Sequence, residues 1–338
     1  MWPGQRIFPD ERVVADSSEE QLTKVQACVR PFYARTTKKE LRLPPLNVTR
    51  VTVPLGPLQR ELYDLLRSEA KRLAAGMSVA DRRFLKALGS HVYRLLEAAS
   101  NPLLLAQSEM LDMEGEGSVR LKAWELLKEV SRTEKPAKIT KVIEIAETFL
   151  AAKESNKLLI WTSFIQNVHV LESLLDKFNP VTLYGAVPVG SDQDFDTREW
   201  RIRQFHEDKQ CGVMIANPAA CGEGISLHKA CHHAVYLDRT FNAAHYLQSI
   251  DRIHRLGLPE DIVTKVEILE AKWTIDARVA RRLKAKIDSM SRILNDPGLE
   301  ALAYDPEDIL EEFPAGIQAE DVEETVDHLV HENEVEPK

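Results

Sequence analysis

The sequence lacks paired cysteines, long apolar runs and a secretory leader. Its four cysteines, Cys28, Cys211, Cys221 and Cys231, include no Cys-x-x-Cys pair, so they predict neither a disulfide framework nor a zinc ribbon. No apolar stretch approaches the roughly 20 residues of a membrane-spanning helix. The N-terminal MWPGQRIFPDERVV also has no hydrophobic signal-peptide core. We therefore expect an intracellular protein, cytoplasmic, or nuclear in a eukaryote.

The one local group of metal-ligand types is Cys231, His232 and His233. The surrounding residues alternate as in a strand, and adjacent residues of a strand point to opposite faces of the sheet. Their spacing does not match the usual ligand spacings of a zinc site. We therefore predict no metal site there.

The net charge of −9 conceals a division of the chain into two parts. Residues 295–338 contain fifteen Asp and Glu and one Lys, a net charge of −14, whereas the other 43 basic and 38 acidic residues give +5. A mildly basic body is compatible with nucleic acid but identifies no partner. The acidic end predicts a disordered solubilising tail or, with a short helix beginning near Asp305, a segment that competes with phosphates for the basic body.

Hydrophobic periodicity predicts an α/β protein. From Lys157 onward strands alternate with helices, which is typical of a parallel sheet with crossover helices and here of one RecA-like lobe. The predicted strands are 157–162, 180–184, 211–216, 232–238 and 262–269, and the predicted helices are 165–177, 197–208, 242–256 and 274–292. A further strand is predicted at 48–53, followed by a helical pattern from Pro57 to Leu105.

Composition and pattern together divide the chain into five segments. They are an irregular leader (1–20), a helical protrusion and lead-in (21–135), a RecA-like domain (136–270), a basic brace helix (271–294) and an acidic tail (295–338). In a parallel sheet we expect ligands at the carboxyl ends of the strands.

The stretch from His232 to Gly257 is the most informative. A strand is followed by a turn and then by a helix capped near Asn242. On that helix Gln248, Arg252 and Arg255 are spaced i, i+4, i+7, which places them on one stripe. Two arginines beside an amide suit a polyphosphate, because guanidinium groups keep their charge and bind oxyanions bidentately. The alternative is a solvated face of an arginine-rich helix.

The pattern Gln-x-x-x-Arg-x-x-Arg-x-Gly in QSIDRIHRLG, residues 248–257, resembles motif VI of superfamily 2 helicases in its Swi/Snf form. In that family both arginines reach a nucleotide bound by the other half of the motor. The resemblance therefore implies that Arg252 and Arg255 are catalytic arginine fingers. The family usually continues with Gly-Gln, whereas Leu258 follows Gly257 here.

Two further strand ends match motifs of the same family. ANPAACGEGISL, residues 216–227, resembles motif V, although Cys221 and Ser226 replace the family's usual Gly and Asn. Thr162-Ser163-Phe164 resembles motif IV, whose backbone and hydroxyls touch nucleic-acid phosphates, but it also suits a helix N-cap. The resemblance implies cofactor binding by Gly222, Glu223, Gly224, Gln248 and Asp251, and nucleic-acid binding by Thr162, Ser163, Asn217 and Ser226.

The resemblance extends over residues 21–292. Outside the motifs above, it covers a Pro-Phe-x-x-Arg segment, a helical insertion ending in RLLEAASNPLLL, a helix carrying Lys138, an intermediate motif and the brace TIDARVARRLKAKID. The matching positions are Phe32, Arg35, Lys38, Lys39, Lys138, Gly185, Arg198 and Phe205. Taken singly, Arg198 suits a surface ion pair. The basic residues Arg281, Arg282, Lys284 and Lys286 suit a solvated face or, alternatively, a nucleic-acid contact.

A P-loop of the form Gly-x-x-x-x-Gly-Lys-Ser/Thr is missing from the sequence, and so is an Asp-Glu-x-His box. The chain therefore resembles half a motor, with ATP and Mg²⁺ held mainly by a first lobe on another chain or lost by truncation. We expect a DNA partner, most simply double-stranded, and no ATP hydrolysis by the chain alone. The alternative is a catalytically inactive regulatory module that binds nucleic acid or a protein partner.

Overall fold

The computed structural model describes residues 43–75, 82–106, 117–221 and 225–294, together with residues 23, 24, 26, 27, 31, 41 and 325. The predicted leader and nearly all of the Pro-Phe-x-x-Arg segment and of the acidic tail lie outside these residues. Among the described helices none is both long and apolar enough to cross a membrane.

The described chain alternates between strands and helices, as predicted. The strands are β1 (Leu46–Val53), β2 (Leu158–Trp161), β3 (Val181–Leu183), β4 (Val213–Ala216), β5 (His233–Tyr236) and β6 (Thr264–Ala271). The helices are α1 (Pro57–Ala75), α2 (Arg82–Ser100), α3 (Gly117–Thr133), α4 (Ala137–Ala152), α5 (Ile165–Leu174), α6 (Arg198–Glu207), α7 (Ala243–Ile250) and α8 (Asp276–Leu294). Short 3₁₀ turns cover Pro102–Ala106, Asp176–Phe178 and Pro218–Cys221.

The strands form one sheet in the order β1-β6-β5-β2-β4-β3. Every pairing is parallel, for example Ile160 with Ile215 and Ala234 with Val266. This confirms the predicted α/β, RecA-like architecture. β1, from the segment assigned to the lead-in, forms an edge strand beside β6 and adds a sixth strand to the five predicted for the lobe.

Alternation along the strands divides the core between the two faces of the sheet. Leu159, Met214 and Tyr236 face one side, where they pack with Phe205 of α6 and Ile250 of α7. Their neighbours Leu158, Ile160, Val213, Ile215 and Val235 face the other side against α4 and α5. All of these strand residues are buried, which explains the continuous apolar runs in the sequence.

A third cluster joins the helical insertion to the lobe. Apolar residues of α1, α2 and α3 pack around Phe164 and Phe241 and around the first half of α8. The N-terminus of α1 is capped from a distance, because the Glu134 carboxylate accepts the amides of Leu58 and Gln59 at 3.0 and 2.9 Å. The insertion is therefore packed onto the same body as the sheet.

A buried histidine in this insertion predicts acid sensitivity. Burial, together with the charge of Arg94, lowers the pKa of His91 in α2 to about 4. The neutral form is favoured in the folded state, so stability is full above the unfolded pKa of about 6.5 and falls as the pH drops towards 4. We expect a loss of about 2 kcal/mol at pH 5 from this group.

Urea unfolding of the wild type and of His91→Leu at pH 7.5 and pH 5 measures this loss. The variant should lose about 2 kcal/mol less than the wild type between the two pH values. His169→Leu, at an exposed position of α5, is the control and should keep the wild-type pH dependence. Equal acid losses in wild type and His91→Leu would show that His91 is not responsible.

Candidate nucleotide and nucleic-acid site

The arginine segment does not continue the helix that precedes it. Asn242 caps α7 as predicted, its side-chain oxygen accepting the His245 amide at 3.0 Å. The helix ends at Ile250, however, so the predicted helix 242–256 is too long and the common stripe of Gln248, Arg252 and Arg255 is wrong. Beyond Ile250 the chain continues as turns, and the Arg252 carbonyl accepts the Leu227 amide at 2.9 Å.

Residues after Ile250 turn back across one face of the sheet. Ile253 is fully buried, and His254 Nε2 donates to the Pro44 carbonyl at 2.8 Å, near the amino ends of β1 and β6. The arginines therefore do not lie at the carboxyl edge of the sheet, where we expected all of the site residues. They lie alongside the segment that leads from the Pro218–Cys221 turn into β5.

Arg252 is held on two sides. Its Nη1 donates to the Ile225 carbonyl at 3.1 Å while its own carbonyl accepts Leu227. Burial lowers the pKa of the half-buried guanidinium, while nearby Asp251 raises it, and an arginine stays charged at neutral pH. The structure therefore fixes a positive charge beside residues 225–227, within the motif V match.

Arg255 is exposed and lies close enough to Arg252 and His228 to affect the pKa of both. It forms no ion pair with any residue that the structure describes. Within the part of the chain that the structure describes, the two guanidinium groups thus lie near the carboxylate of Asp251 at the end of α7. Gln248 is half-buried on α7 itself. This arrangement favours an anion.

A second group of predicted residues does lie at the carboxyl edge. The Asn217 side chain, after β4, donates to the Ser163 carbonyl, after β2, at 2.9 Å, and accepts the Ala219 amide at 2.9 Å. Ser163 and Asn217 are both half-buried. The structure therefore brings these two residues together across neighbouring strands.

Thr162 has a different role from the predicted ones. The N-cap position of α5 is held by Phe164 with no side-chain hydrogen bond, so the N-cap alternative is wrong. The Thr162 hydroxyl is fully buried and donates to Asp238 Oδ2 at 2.8 Å. The Thr162 hydroxyl is consequently turned into the protein interior and is not available to contact nucleic acid. Among the matched motif IV residues only Ser163 is accessible at the edge.

Asp238, at the end of the β5 segment, organises this edge although no sequence motif assigned it a role. Its carboxylate accepts the Thr162 hydroxyl, the Ser163 amide at 2.6 Å and the Ser100 hydroxyl at 2.7 Å. Asn167 of α5 adds a weaker contact at 3.3 Å. Asp238 thereby joins β2, β5, α5 and the end of α2 through one buried carboxylate.

Asp238→Ala should lower the free energy of unfolding by about 2–3 kcal/mol, because buried donors would lose their acceptor. Urea unfolding measures the change. Asp261→Ala, at an exposed position before β6, should be nearly neutral. A neutral effect of Asp238→Ala would mean that water replaces the carboxylate, contrary to its burial.

The remaining predicted residues are separated from this edge. Ser226 lies beside the arginines, and its hydroxyl meets His228 Nδ1 at 2.8 Å, not the Ser163 region. Gly222, Glu223 and Gly224 lie outside the described residues. Arg198, interpreted as a surface ion-pair member, is half-buried and forms no ion pair within the described chain. It lies near Cys221, where burial raises the pKa of the thiol to about 12 against the opposing charges of Arg198 and Arg252.

The cysteine and histidines around residue 232 are engaged in the core. Cys231 is buried, and burial raises the pKa of its thiol to about 12. His233 contacts Glu267 Oε1 at 2.8 Å, while His232 Nε2 donates to the His228 carbonyl at 2.7 Å. Across the described ranges no group of three or more His, Cys, Asp or Glu side chains is arranged to hold a metal ion.

Comparison with known proteins shows which families and structures this chain resembles. Residues 137–257 match the helicase conserved C-terminal domain. YwqA of Bacillus subtilis (strain 168), described as a putative ATP-dependent helicase/translocase, is 26% identical over 287 residues, covering 83% of this chain and 27% of YwqA. The ATP-dependent helicase FUN30 of Saccharomyces cerevisiae is 27% identical over 159 residues, covering 47% of this chain and 13% of that protein.

Solved structures share the fold. The C-terminal part of the Fun30 ATPase domain superposes with a TM-score of 0.56 at 18% identity, covering 86% of this chain and 99% of that one. The Sulfolobus solfataricus SWI2/SNF2 ATPase core in complex with dsDNA superposes with a TM-score of 0.50 at 21% identity. This match covers 80% of this chain and 53% of that one.

Residues 137–257 thus match a helicase C-terminal domain within a RecA-like lobe. The similarity to YwqA and FUN30 supports a C-terminal lobe of the Swi/Snf type. It spans about a quarter of the length of YwqA and 13% of that of FUN30.

Proposed function

We propose that this chain acts as the second lobe of an ATP-dependent DNA translocase. In this role Arg252 and Arg255 serve as arginine fingers towards a nucleotide whose phosphates and Mg²⁺ are held mainly by a P-loop lobe. Ser163 and Asn217 contact the nucleic acid. The relatives that carry the same domain are named as ATP-dependent helicases, which supports a nucleotide-driven role.

The observation that carries the proposal is an arginine pair in which Arg252 is half-buried and held in place and Arg255 is exposed. Arg252 is anchored through its carbonyl and its Nη1, while Arg255 remains exposed beside it. An anion at this position would gain charge-assisted hydrogen bonds without costly rearrangement of the backbone. These residues fit the terminal phosphate of a nucleotide, and bound ATP supplies the phosphoryl group whose transfer to water drives the motor.

The residues at the carboxyl edge support the nucleic-acid contact. Asn217 and Ser163 are held together by a hydrogen bond, and the Ser163 amide donates to the buried Asp238 carboxylate. A hydroxyl and an amide side chain at this edge suit phosphate and sugar oxygens, which position a strand without reading its sequence. Double-stranded DNA is the partner we propose, in keeping with the fold shared with the Sulfolobus core.

DNA-dependent ATP hydrolysis tests the proposal. We would measure it for this chain alone and for the chain mixed with a polypeptide that carries a P-loop first lobe. Turnover only in the mixture is the expected result, since this sequence has no P-loop. No turnover in the mixture, together with DNA binding by the chain, would favour the regulatory binding module instead.

A further inference from the structure

Residues 225–228, here named the strap, hold the arginine segment in place. The Ile225 carbonyl accepts Arg252 Nη1 at 3.1 Å, and the Leu227 amide donates to the Arg252 carbonyl at 2.9 Å. Arg252 lies just beyond the end of α7 at Ile250, where the backbone continues as turns. The strap therefore contacts Arg252 at both its backbone carbonyl and its guanidinium.

Histidines from three places fix the strap. His206, near the end of α6, donates from Nε2 to the Ser226 carbonyl at 2.8 Å. The Ser226 hydroxyl pairs with His228 Nδ1 at 2.8 Å. His232 Nε2 donates to the His228 carbonyl at 2.7 Å. Each of these bonds ties a strap residue to a ring that is itself at least half-buried.

His228 also contacts the far end of the arginine segment. Gly257 has a φ of +102°, and a Cβ at that position would lie 3.2 Å from His228 Nε2. The ring is therefore packed against the backbone two residues beyond Arg255. The His228 ring thus contacts Ser226, within the strap, through Nδ1, and it contacts Gly257, at the end of the arginine segment, through its Nε2 side.

From these contacts we propose that His206 and His228 are positioning residues that hold Arg252 and Arg255 in the orientation needed for nucleotide hydrolysis. The inference rests on the proposed function for its catalytic consequence, but its structural part concerns this chain alone. His228 acts through Ser226 and Gly257, and His206 acts through the Ser226 carbonyl. Neither ring touches the nucleotide in this assignment.

The protonation state of His228 agrees with this role. Burial lowers its pKa, and the charges of Arg255 and Lys229 lower it further, with smaller contributions from His232 and His206. The lowered pKa favours the neutral ring, and in the tautomer with its proton on Nε2 the Nδ1 atom accepts the Ser226 hydroxyl. A protonated ring would lose this acceptor and add a positive charge beside Arg255.

Amide hydrogen exchange at Leu227 tests the structural part directly, because that amide bonds to the Arg252 carbonyl. His228→Leu should speed its exchange by about tenfold, whereas His228→Asn should stay near the wild type, since Oδ1 of asparagine can replace Nδ1 as acceptor. His206→Leu and His206→Gln form the second pair, in which glutamine restores a donor to the Ser226 carbonyl. His169→Leu on α5 is the control and should leave Leu227 unchanged.

ATP turnover in the two-lobe mixture tests the catalytic part. His228→Leu should lower kcat by about tenfold with KM for ATP and DNA affinity unchanged, and His228→Asn should recover most of it. Unchanged exchange at Leu227 in both leucine variants would overturn the inference. So would equal acceleration at the amides of β4, which would indicate general destabilisation. If the wild-type mixture itself hydrolyses no ATP, the proposed function fails, while the exchange data still decide whether these histidines position Arg252.

Discussion

Replacing Arg252 by alanine should lower ATP turnover by the two-lobe mixture by roughly 10³–10⁵, the usual contribution of an arginine finger supplied across an interface. The strap holds this residue through a bond from the guanidinium to the Ile225 carbonyl and a bond from the Leu227 amide to the Arg252 carbonyl. DNA affinity should remain nearly unchanged, because the proposed nucleic-acid contacts Ser163 and Asn217 lie on another part of the lobe. Steady-state ATP hydrolysis and a DNA-binding titration at one salt concentration measure the two quantities.

Two controls separate catalysis from folding. Arg203→Ala removes an arginine of α6 whose nearest carboxylate, that of Asp192, lies 4.0 Å away, and it should leave turnover unchanged. Arg252→Lys keeps the charge but not the bidentate geometry and should remain strongly impaired. A large loss of DNA affinity in Arg252→Ala would instead place this residue against the phosphate backbone.

The largest effect on stability is expected at Lys138. This side chain of α4 is completely buried, and its Nζ lies 2.5 Å from Asp276 Oδ2 in the first turn of α8. Asp276 Oδ2 also accepts the Ala271 amide at 2.6 Å. Lys138→Met would leave the buried carboxylate without its cation, which should cost about 3–5 kcal/mol.

Lys141→Met on the same helix is the matched control. Lys141 pairs with Glu144 on the surface at 2.9 Å, and such a pair contributes about 0.5 kcal/mol or less. Urea unfolding measures the free energy of unfolding of both variants. Equal m-values would show that the difference between them is one of stability. The double variant Lys138→Met with Asp276→Asn should recover part of the loss, because it removes the unpaired charge. Equal stability of the Lys138 and Lys141 variants would contradict the buried ion pair.

The type and order of the elements follow from local pattern. Alternating apolar runs predict β2 to β6 within two or three residues, and Asn242 occupies the N-cap that the pattern assigns to it. These features depend on neighbours a few positions apart, so the sequence alone specifies them. The end of α7 cannot be predicted from local pattern, because helical periodicity continues through Arg255 in the sequence. Beyond Ile250 the Arg252 carbonyl accepts the Leu227 amide, 25 positions away.

The candidate site residues also divide into those that the sequence alone predicts and those that it does not. The candidate residues Arg252, Arg255, Ser163 and Asn217 are recognisable from residue type and order along the chain. Asp238 is not recognisable in this way because its partners are distant: Ser100 lies 138 positions earlier and Thr162 lies 76 positions earlier. Its sequence signals are its place directly after an apolar strand and its place in LDRTFN, which resembles the family's Asp-x-x-Trp-Asn but does not predict these partners.

By itself, the sequence determined a parallel α/β lobe with a helicase C-terminal domain match at residues 137–257, and it pointed to two candidate arginine fingers, since motifs and periodicity are local properties. Only the tertiary structure decided that β1 joins the sheet, that Thr162 faces inward and that Arg252 contacts a strap bonded to His206 and His228. These outcomes come from hydrogen bonds between residues far apart in the chain. Such bonds form only once packing has brought buried donors and acceptors together, because each buried polar group must then find a partner.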